Sequence, residues 1–309
     1  MARCTLCTVF TGWATERMQI VANGIGIEVD DQGLTGGEPL LLIMGLGMQL
    51  TGWPDELVQL LVSRGFRVLR MDNRDAGFSK GFDHLGVPSV PAAALRHALR
   101  LPVKSPYGIA DMAEDALGVL DAMGLARAHI CGASMGGMIA QHLAARHPQR
   151  VKSLALMMTT SGARRLPQAA WAVQRVLMSR PASNDTEAVV THLMRVMRAI
   201  GSPAYPPEPA DLRRRLQAAT RRAWRPQGTV RQLLAVAADG DRSALLPQIT
   251  APTHVIHGEA DPLVPVPAGR DLVQRIRGAT GDFIPGMGHD LPAALLPRLA
   301  EGIAVNAHR

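Results

Sequence analysis

The chain has 309 residues, 47% of them hydrophobic and 19% charged, enough to bury a substantial core as one domain with an inserted subdomain. No apolar run is long enough to span a bilayer, so we expect no membrane insertion. The net charge of +7 does not predict a nucleic-acid partner, because many of the arginines cluster between residues 164 and 242 without interleaved aromatic residues or a recognition motif.

Residues 1–17 are predicted to be a disordered leader before the first strand. They contain the pair Cys4 and Cys7, and a metal site needs more ligands than two thiols supply. Met18 opens the strand-like sequence and is a candidate native start. Cys131 lies in a predicted core strand and brings the number of cysteines to three. An odd number argues against a disulfide framework and favours a reducing, cytoplasmic compartment.

Strands and helices then alternate along the chain. Residues 20–31 predict two short strands around Asn23-Gly24, a hairpin signal. Residues 40–44 form a continuous apolar run that is typical of a strand buried on both faces. A helix at 56–62, a strand at 66–71, a helix at 109–123 and strands at 128–131 and 151–157 follow. This alternation predicts an α/β fold with a mostly parallel, doubly wound sheet.

Two segments interrupt the alternation. Residues 80–107 contain several prolines and one apolar, basic helical piece at 92–101, so we expect a lid-like segment there. Residues 159–247 are helical throughout, and we expect a cap inserted into an α/β core made of residues 18–158 and 248–309. The expected cap helices lie at 169–178 and 186–200, with a third starting near Asp211 and a fourth near Thr229 as its N-cap. The core then resumes with strands at 253–258 and 281–285 and helices at 267–276 and 291–304.

The sequence Gly132-Ala133-Ser134-Met135-Gly136 joins the strand at 128–131 to a helix that ends before Pro148. Glycines two positions before and after the serine allow a tight turn that projects the hydroxyl above the sheet. The five-residue pattern alone is weak, because glycine is common in this chain. Its position between a strand and a helix makes Ser134 a candidate nucleophile.

Two later strand ends supply the partners that a serine nucleophile needs. In doubly wound sheets, ligands collect at the carboxyl ends of strands; Asp261 follows the strand at 253–258, and His289 follows the last strand. An imidazole takes the proton of the serine, and a carboxylate fixes the tautomer of the imidazole. The chain order Ser, Asp, His matches this fold. Glu259 competes with Asp261, and we favour Asp261 because Asp-Pro fits a turn into the next helix.

Two backbone N–H groups are candidates for binding the oxyanion that forms when a carbonyl is attacked. Such an anion needs preorganised donors. Met135 follows the nucleophile at the start of its helix and supplies one N–H. Leu46 lies between Gly45 and Gly47 after the strand at 40–44 and is expected to supply the other.

Several segments resemble the α/β-hydrolase superfamily, and most closely the aclacinomycin methylesterase type of polyketide esterase. The similarity extends from Gln19 over nearly the whole remaining chain and rests on Met44-Gly45, residues 53–56, Arg74-Asp75-x-Gly77-x-Ser79, Gly132-x-Ser134-Met135-Gly136 and Gly286-Met287-Gly288-His289. It implies a triad of Ser134, Asp261 and His289, oxyanion donors at Leu46 and Met135, and an ester bound beneath a helical cap.

The chain departs from this family in three places. Residues 80–106 form a longer segment, and the sequence from residue 162 to 246 is not recognisably similar, so the walls of the pocket are expected to differ. Met44 stands where such enzymes commonly have a histidine, which removes one polar group near the oxyanion. We take Arg74 and Asp75 as structural residues that hold the loop beside Ser134.

We therefore predict a serine carboxylester hydrolase that acts on a small to medium, largely apolar ester through an acyl-enzyme, without a cofactor or a metal. The apolar helical faces of the cap and an aromatic content of only 4% favour an adaptable apolar pocket. Activity should rise with pH as His289 loses its proton. The expected partner is a small-molecule ester, and a homodimer remains open.

Other chemistries of the same site remain alternatives. A serine in this position argues against dehalogenase and epoxide-hydrolase chemistry, because those enzymes of the superfamily use a carboxylate nucleophile. Carbon–carbon bond hydrolysis and cofactor-free perhydrolysis need the same three side chains. A ligand receptor with an intact but slow triad is the alternative from outside enzymology.

Overall fold

A computed structural model describes residues 14–99 and 101–309, and an eight-stranded sheet forms its centre. The strands are β1 (Ala14–Ala22), β2 (Ile25–Gly33), β3 (Glu38–Ile43), β4 (Phe66–Met71), β5 (Ala128–Ala133), β6 (Val151–Met157), β7 (Thr253–Gly258) and β8 (Thr280–Ile284). Their order across the sheet is β1-β2-β4-β3-β5-β6-β7-β8. β2 pairs antiparallel with β1 and β4, and the other neighbours are parallel. The predicted α/β fold with a mostly parallel sheet is confirmed.

The first strand begins earlier than the sequence suggested. Residues 14–17, predicted as the end of a disordered leader, lie in β1 and pair with residues 30–33 of β2. The prediction was wrong there because β2 runs on to Gly33 and offers backbone partners to the residues before Met18. The turn between the strands is Asn23-Gly24, whose φ angles of 49° and 75° suit a tight hairpin. Residues 1–13, with Cys4 and Cys7, lie outside the described residues.

The helices of the described residues are α1 (Asp55–Val62), α2 (Val90–Ala98), α3 (Ile109–Ala122), α4 (Met135–Arg146), α5 (Trp171–Leu177), α6 (Thr186–Ile200), α7 (Pro209–Arg222), α8 (Pro226–Asp239), α9 (Pro267–Arg275) and α10 (Leu296–Ala307). Four of them, α5 to α8, lie between β6 and β7. We call residues 159–247 the cap segment, and its division from the core stays a prediction. Among the described residues, no helix has the length and apolar character needed to cross a membrane.

Helix α8 starts at Pro226, three residues before the predicted N-cap. Thr229 lies inside the first turn, and its hydroxyl donates to the carbonyl of Arg225 at 3.3 Å instead of capping the helix. Proline suits the first helical position because its φ is preset and it has no N–H to satisfy. Pro226 was therefore the stronger start signal.

Apolar cores cover both faces of the sheet. Leu41 and Ile43 of β3 pack into one core with α3 and α4, and Leu40 and Leu42 pack into the other with α1 and α10. All four side chains are fully buried. Successive side chains of a strand point to opposite faces, so a continuous apolar run is what a strand buried on both faces requires. These cores fix the carboxyl ends of the central strands, where the candidate site lies.

A buried ion pair anchors α8 to the loop after β4. Arg231 donates to both carboxylate oxygens of Asp75 at 2.7 Å, and the hydroxyl of Tyr107 donates to the same carboxylate at 2.8 Å. The side chains of Arg231 and Asp75 are 1% and 0% exposed. The hydrogen bond to Asp75 raises the pKa of Arg231, so the guanidinium stays charged.

Breaking this ion pair is expected to destabilise the fold. Arg231→Met leaves the Asp75 carboxylate buried without its cation, so the free energy of unfolding should fall by about 3–5 kcal/mol. Urea denaturation of the wild type and the variant measures the difference. Arg198→Met, at an exposed position of α6, is the control and should change the value by less than about 0.5 kcal/mol. Equal small effects of the two substitutions would show that α8 is held in another way.

Candidate active site

Ser134 occupies the turn from β5 into α4 in a left-handed conformation. Its φ is 54°, its backbone N–H donates to the carbonyl of Met157 at 2.9 Å, and its carbonyl accepts a hydrogen bond from the hydroxyl of Thr159 at 2.7 Å. A non-glycine residue in this region stores about 1–3 kcal/mol of strain and persists only where the surroundings over-determine it. The two hydrogen bonds contribute to that constraint on either side of the serine.

Close backbone approach explains the two glycines that flank Ser134. A Cβ on Gly132 would lie 2.3 Å from the carbonyl oxygen of Gly136, and a Cβ on Gly136 would lie 2.0 Å from the carbonyl oxygen of Ile43. Neither obstacle is a side chain that could rotate away. The glycines therefore let α4 start directly against β3 and β5.

His289 and Asp261 complete a hydrogen-bonded line that starts at Ser134. His289 Nε2 lies 3.0 Å from Ser134 Oγ, and His289 Nδ1 lies 2.7 Å from Asp261 Oδ2. Asp261 Oδ1 accepts the backbone N–H groups of Leu263 and Val264 at 2.9 and 2.8 Å. The side chains of Asp261 and His289 are 0% and 7% exposed. The structure thus brings together the three side chains that the sequence singled out from distant segments.

Two other titratable side chains, Glu259 and His257, lie near Asp261 but outside the hydrogen-bonded line to Ser134. Glu259 is exposed, faces Arg270 at 3.6 Å, and is not part of the line to His289. His257 is buried, and its Nε2 donates to the carbonyl of Val264 at 2.7 Å while lying 3.6 Å from Asp261 Oδ2. The sequence analysis missed His257, although its spacing of four residues before Asp261 was an available signal.

The loop after β3 lies directly against Ser134. A Cβ on Gly45 would lie only 3.1 Å from Ser134 Cβ. The N–H of Met48 donates to the Gly45 carbonyl at 3.2 Å, and the side chain of Asn73 donates to the carbonyl just before Gly45 at 2.8 Å. The C=O and N–H of a trans peptide point in opposite directions. The turn that occupies the Gly45 carbonyl therefore directs the Leu46 N–H away from itself.

Met135 is the first residue of α4. Its N–H is one of the first four of the helix, which have no intrahelical carbonyl partner. Leu46 and Met135 thus belong to the two backbone segments that border Ser134. Their joint role as oxyanion donors stays a prediction.

A glutamine of α8 was not anticipated from the sequence. The fully buried Gln232 accepts the N–H of Gly47 through Oε1 at 2.8 Å. Its Nε2 donates to the carbonyl of Arg74 at 2.7 Å. The available signal was an uncharged polar residue on the buried side of α8, beside Arg231 and Leu234.

The loop that bears His289 rests on the end of α6 and the residues that follow it. The backbone N–H of His289 donates to the carbonyl of Ile200 at 2.7 Å. The hydroxyl of Ser202 accepts the N–H of Gly288 at 2.8 Å and donates to the carboxylate of Asp290. Burial raises the pKa of Asp290. Backbone and side-chain groups of the cap segment therefore hold this loop.

Most of the sequence matches a known family. Residues 38–292 match the model of the alpha/beta hydrolase fold. The chain belongs to the α/β hydrolase family. This hydrolase is 30% identical over 311 residues to rhodomycin D methylesterase DauP of Streptomyces sp. strain C5, and the match covers 94% of this chain and 95% of that one. It is 31% identical over 289 residues to rhodomycin D methylesterase DnrP of Streptomyces peucetius, covering 87% and 90%. The predicted resemblance to methylesterases of this type is confirmed.

Solved structures share the fold of the hydrolase. The enol-lactonase from Burkholderia xenovorans LB400 has a TM-score of 0.71 and 24% identity over 94% of this chain and 100% of that one. A mutant of the meta-cleavage product hydrolase from Pseudomonas fluorescens IP01, complexed with acetates, has a TM-score of 0.69 and 20% identity over 94% and 97%. At these identities the structures show the common fold alone.

No group of three or more His, Cys, Asp or Glu side chains suited to a metal ion occurs within residues 14–99 and 101–309 of the hydrolase. Cys131 is a free, buried thiol, and burial raises its pKa. The side chains that this site offers for chemistry are Ser134, His289 and Asp261.

Buried and half-buried histidines should make the hydrolase less stable in mild acid. Burial lowers the pKa of His129, His192, His254 and His257 below the ordinary value of 6.5. Below that pH the unfolded chain binds more of these protons than the folded chain, so their contribution to the free energy of unfolding is complete above about pH 6.5 and is lost as the pH falls.

The contribution of one of these histidines can be measured. The urea midpoint of unfolding is measured at pH 7.5 and pH 5.5 for the wild type and for His257→Gln. The difference between the two midpoints gives the stability that each protein loses in acid. The glutamine amide can still donate to the Val264 carbonyl but takes up no proton, so the variant should lose less stability between the two pH values. Equal losses in both proteins would show that His257 does not contribute.

Proposed function

We propose that this hydrolase cleaves a carboxylic ester through an acyl-enzyme on Ser134, and that methyl esters of apolar acids are its favoured substrates. The observation on which the proposal rests is the hydrogen-bonded line from Ser134 Oγ through His289 to Asp261, with distances of 3.0 and 2.7 Å. The preference for methyl esters is supported by the two rhodomycin D methylesterases, which are similar over nearly the whole chain.

In the first half of the reaction, Ser134 Oγ attacks the ester carbonyl carbon while its proton passes to His289 Nε2. Asp261 accepts the Nδ1–H of His289, so Nε2 is the nitrogen that is free to take the proton. The N–H groups of Leu46 and Met135 receive the negative charge of the tetrahedral oxygen. The C–O bond to the alcohol then breaks, and His289 gives its proton to the leaving alkoxide.

The second half repeats these steps with water. His289 Nε2 takes a proton from the water as its oxygen attacks the acyl carbon. The bond from that carbon to Ser134 Oγ breaks, the proton returns to the serine, and the carboxylic acid leaves. The sum is ester plus water giving acid plus alcohol.

A carbon–carbon bond hydrolase is the second candidate. The hydrolase is 33% identical over 140 residues to 2-hydroxymuconate semialdehyde hydrolase of Pseudomonas sp. strain CF600, but the match covers only 45% of this chain and 42% of that one. The methylesterases match about twice that share of the chain. Ester hydrolysis is therefore the better supported reaction.

A substrate panel separates these reactions. Methyl, aryl and acyl esters and a vinylogous 1,5-diketone are each incubated with the wild type, and kcat/KM is measured. We expect the highest value for a methyl ester of an apolar acid. Preferred cleavage of the diketone would favour carbon–carbon hydrolysis, and tight ester binding with negligible turnover would favour a receptor.

Covalent trapping tests the nucleophile independently of the substrate. An alkyl fluorophosphonate should add once to the wild type, and peptide mass spectrometry should locate the adduct on Ser134. Ser63→Ala, at an exposed serine on the far end of α1, should be labelled at the same rate. An adduct at another serine would contradict the proposed mechanism.

We also propose the cytoplasm as the location of the enzyme. The reduced, buried Cys131 and the odd number of cysteines support a reducing compartment. A homodimer stays a prediction, and sedimentation equilibrium of the purified chain would decide it.

A further inference from the structure

We propose that Gln232 of α8 is a positioning residue that fixes the direction of the Leu46 N–H. The inference rests on the proposed function, since that N–H acts on the oxygen of an ester carbonyl. Gln232 is 0% exposed, and its two hydrogen bonds join the cap segment to loops that are 185 and 158 residues away in sequence.

Three hydrogen bonds fix three consecutive peptide groups of the loop after β3. Asn73 binds the carbonyl of the first, between residues 44 and 45. Met48 binds the carbonyl of the second, whose N–H belongs to Leu46. Gln232 binds the N–H of the third, which belongs to Gly47. The peptide group that contains the Leu46 N–H therefore has a hydrogen-bonded peptide group on each side. The hydrogen bond on its carboxyl side comes from Gln232 of the cap segment.

Gly47 has an unusual backbone conformation in this loop. Its φ is +66°, a region in which glycine is at no disadvantage. A Cβ at this position would lie 2.8 Å from Thr229 Oγ1, so α8 packs against the bare backbone. Thr229 and Gln232 are three residues apart and thus share one face of α8. That face leaves no room for a side chain at position 47 and supplies the hydrogen bond to the N–H of Gly47.

Both functional groups of the Gln232 amide are used. Oε1 accepts from Gly47, and Nε2 donates to the carbonyl of Arg74, so the second bond fixes the orientation in which the amide presents its acceptor. A methionine has a similar shape but can make neither bond. In the absence of Gln232, the backbone at Gly47 would sample several conformations, and the Leu46 N–H would point in several directions. This N–H would then have to be ordered before it could donate to the oxyanion.

The test compares two fully buried glutamines. Gln232→Met is paired with Gln141→Met in α4, where the side chain donates to the carbonyl of Thr160 and accepts from Arg242, each at 3.2 Å. With the best ester from the panel, Gln232→Met should lower kcat about 10- to 100-fold with little change in KM, since a misplaced oxyanion donor costs up to about this much. Gln141→Met should keep the wild-type kcat.

Inhibitors separate positioning from general damage to the fold. A trifluoromethyl ketone forms a tetrahedral adduct that needs the oxyanion donors, whereas the product acid does not. Gln232→Met should weaken binding of the ketone by the same factor as kcat and leave the affinity for the acid unchanged. A wild-type kcat in Gln232→Met, or a loss of kcat without a loss of ketone affinity, overturns the inference.

A second variant and a second measurement cover the remaining outcomes. Gln232→Glu keeps an oxygen that can accept the Gly47 N–H and should recover part of the kcat lost in Gln232→Met; the same loss in both variants, or folding of neither, speaks against the inference. Hydrogen exchange at the Gly47 amide should be at least about 10-fold faster in Gln232→Met than in the wild type. Hydrogen exchange is measured without an ester and is therefore independent of activity. If Gln232 protects the Gly47 amide but the chain has no esterase activity, the proposed function is refuted, whereas the structural basis of the inference stands.

Discussion

Replacing Ser134 by alanine is expected to lower kcat about 10⁵- to 10⁶-fold with the best ester substrate. Removing the nucleophile of a serine, histidine and aspartate group abolishes the acyl-enzyme route, and the residual rate comes from substrate binding and the oxyanion donors alone. The single-turnover rate and the steady-state rate should fall together. Ser63→Ala is the control and should keep the wild-type kcat.

The loss of kcat in Ser134→Ala should come from the missing hydroxyl and not from a change in the fold. Alanine keeps the Cβ and therefore the left-handed strain of a residue with a φ of 54°, and the two backbone hydrogen bonds of Ser134 are untouched. The free energy of unfolding should stay within about 0.5 kcal/mol of the wild type. Turnover within 10-fold of the wild type in a folded Ser134→Ala would refute the serine mechanism.

Asp261→Asn is expected to lower kcat about 10⁴-fold while leaving the fold in place. The carboxylate can only accept, so it holds the proton of His289 on Nδ1, 2.7 Å away. An asparagine amide can donate to Nδ1 instead, which moves the proton to Nε2. The imidazole then has no lone pair facing Ser134 and cannot take its proton.

Glu259→Gln is the matched control for Asp261→Asn, because both changes convert a carboxylate of the same loop into its amide. Glu259 is exposed and faces Arg270, so its variant should keep kcat within about 2-fold, as is usual for exposed charge pairs. Initial rates of both variants at the pH of maximal wild-type activity give the comparison. A larger loss in Glu259→Gln than in Asp261→Asn would reverse the assignment of the acid.

The sequence predicted the sheet and the three central side chains for one physical reason. A buried parallel sheet requires continuous apolar strands, and its ligand-binding edge lies where those strands end. Ser134 and Asp261 follow the buried strands β5 and β7, and His289 follows the short, partly exposed strand β8. All three positions could be found without knowledge of the packing. Gly132 is required by a backbone contact within the same strand, turn and helix, whereas Gly136 is required by the carbonyl of Ile43 in the neighbouring strand β3.

The supporting residues could not be found in this way. Gln232, Ser202 and Arg231 act across more than 80 residues of sequence, on the loops after β3, β8 and β4. Neither helical periodicity nor a local motif marks which polar residue of a helix meets a given loop. The start of α8 was missed because Pro226 and not Thr229 begins the helix. The extension of β1 was missed because it depends on pairing with the far end of β2.

The contacts of the cap segment restrict how the specificity of this enzyme can evolve or be engineered. The carbonyl of Ile200 and the hydroxyl of Ser202 support the loop that bears His289, and Gln232 supports the loop of the proposed oxyanion donor Leu46. A chimera that takes residues 159–247 wholesale from a relative would replace these supports together with the pocket wall, so that turnover number and substrate preference change at once. Libraries that hold positions 200, 202 and 232 constant and randomise the rest of the segment would separate the two properties.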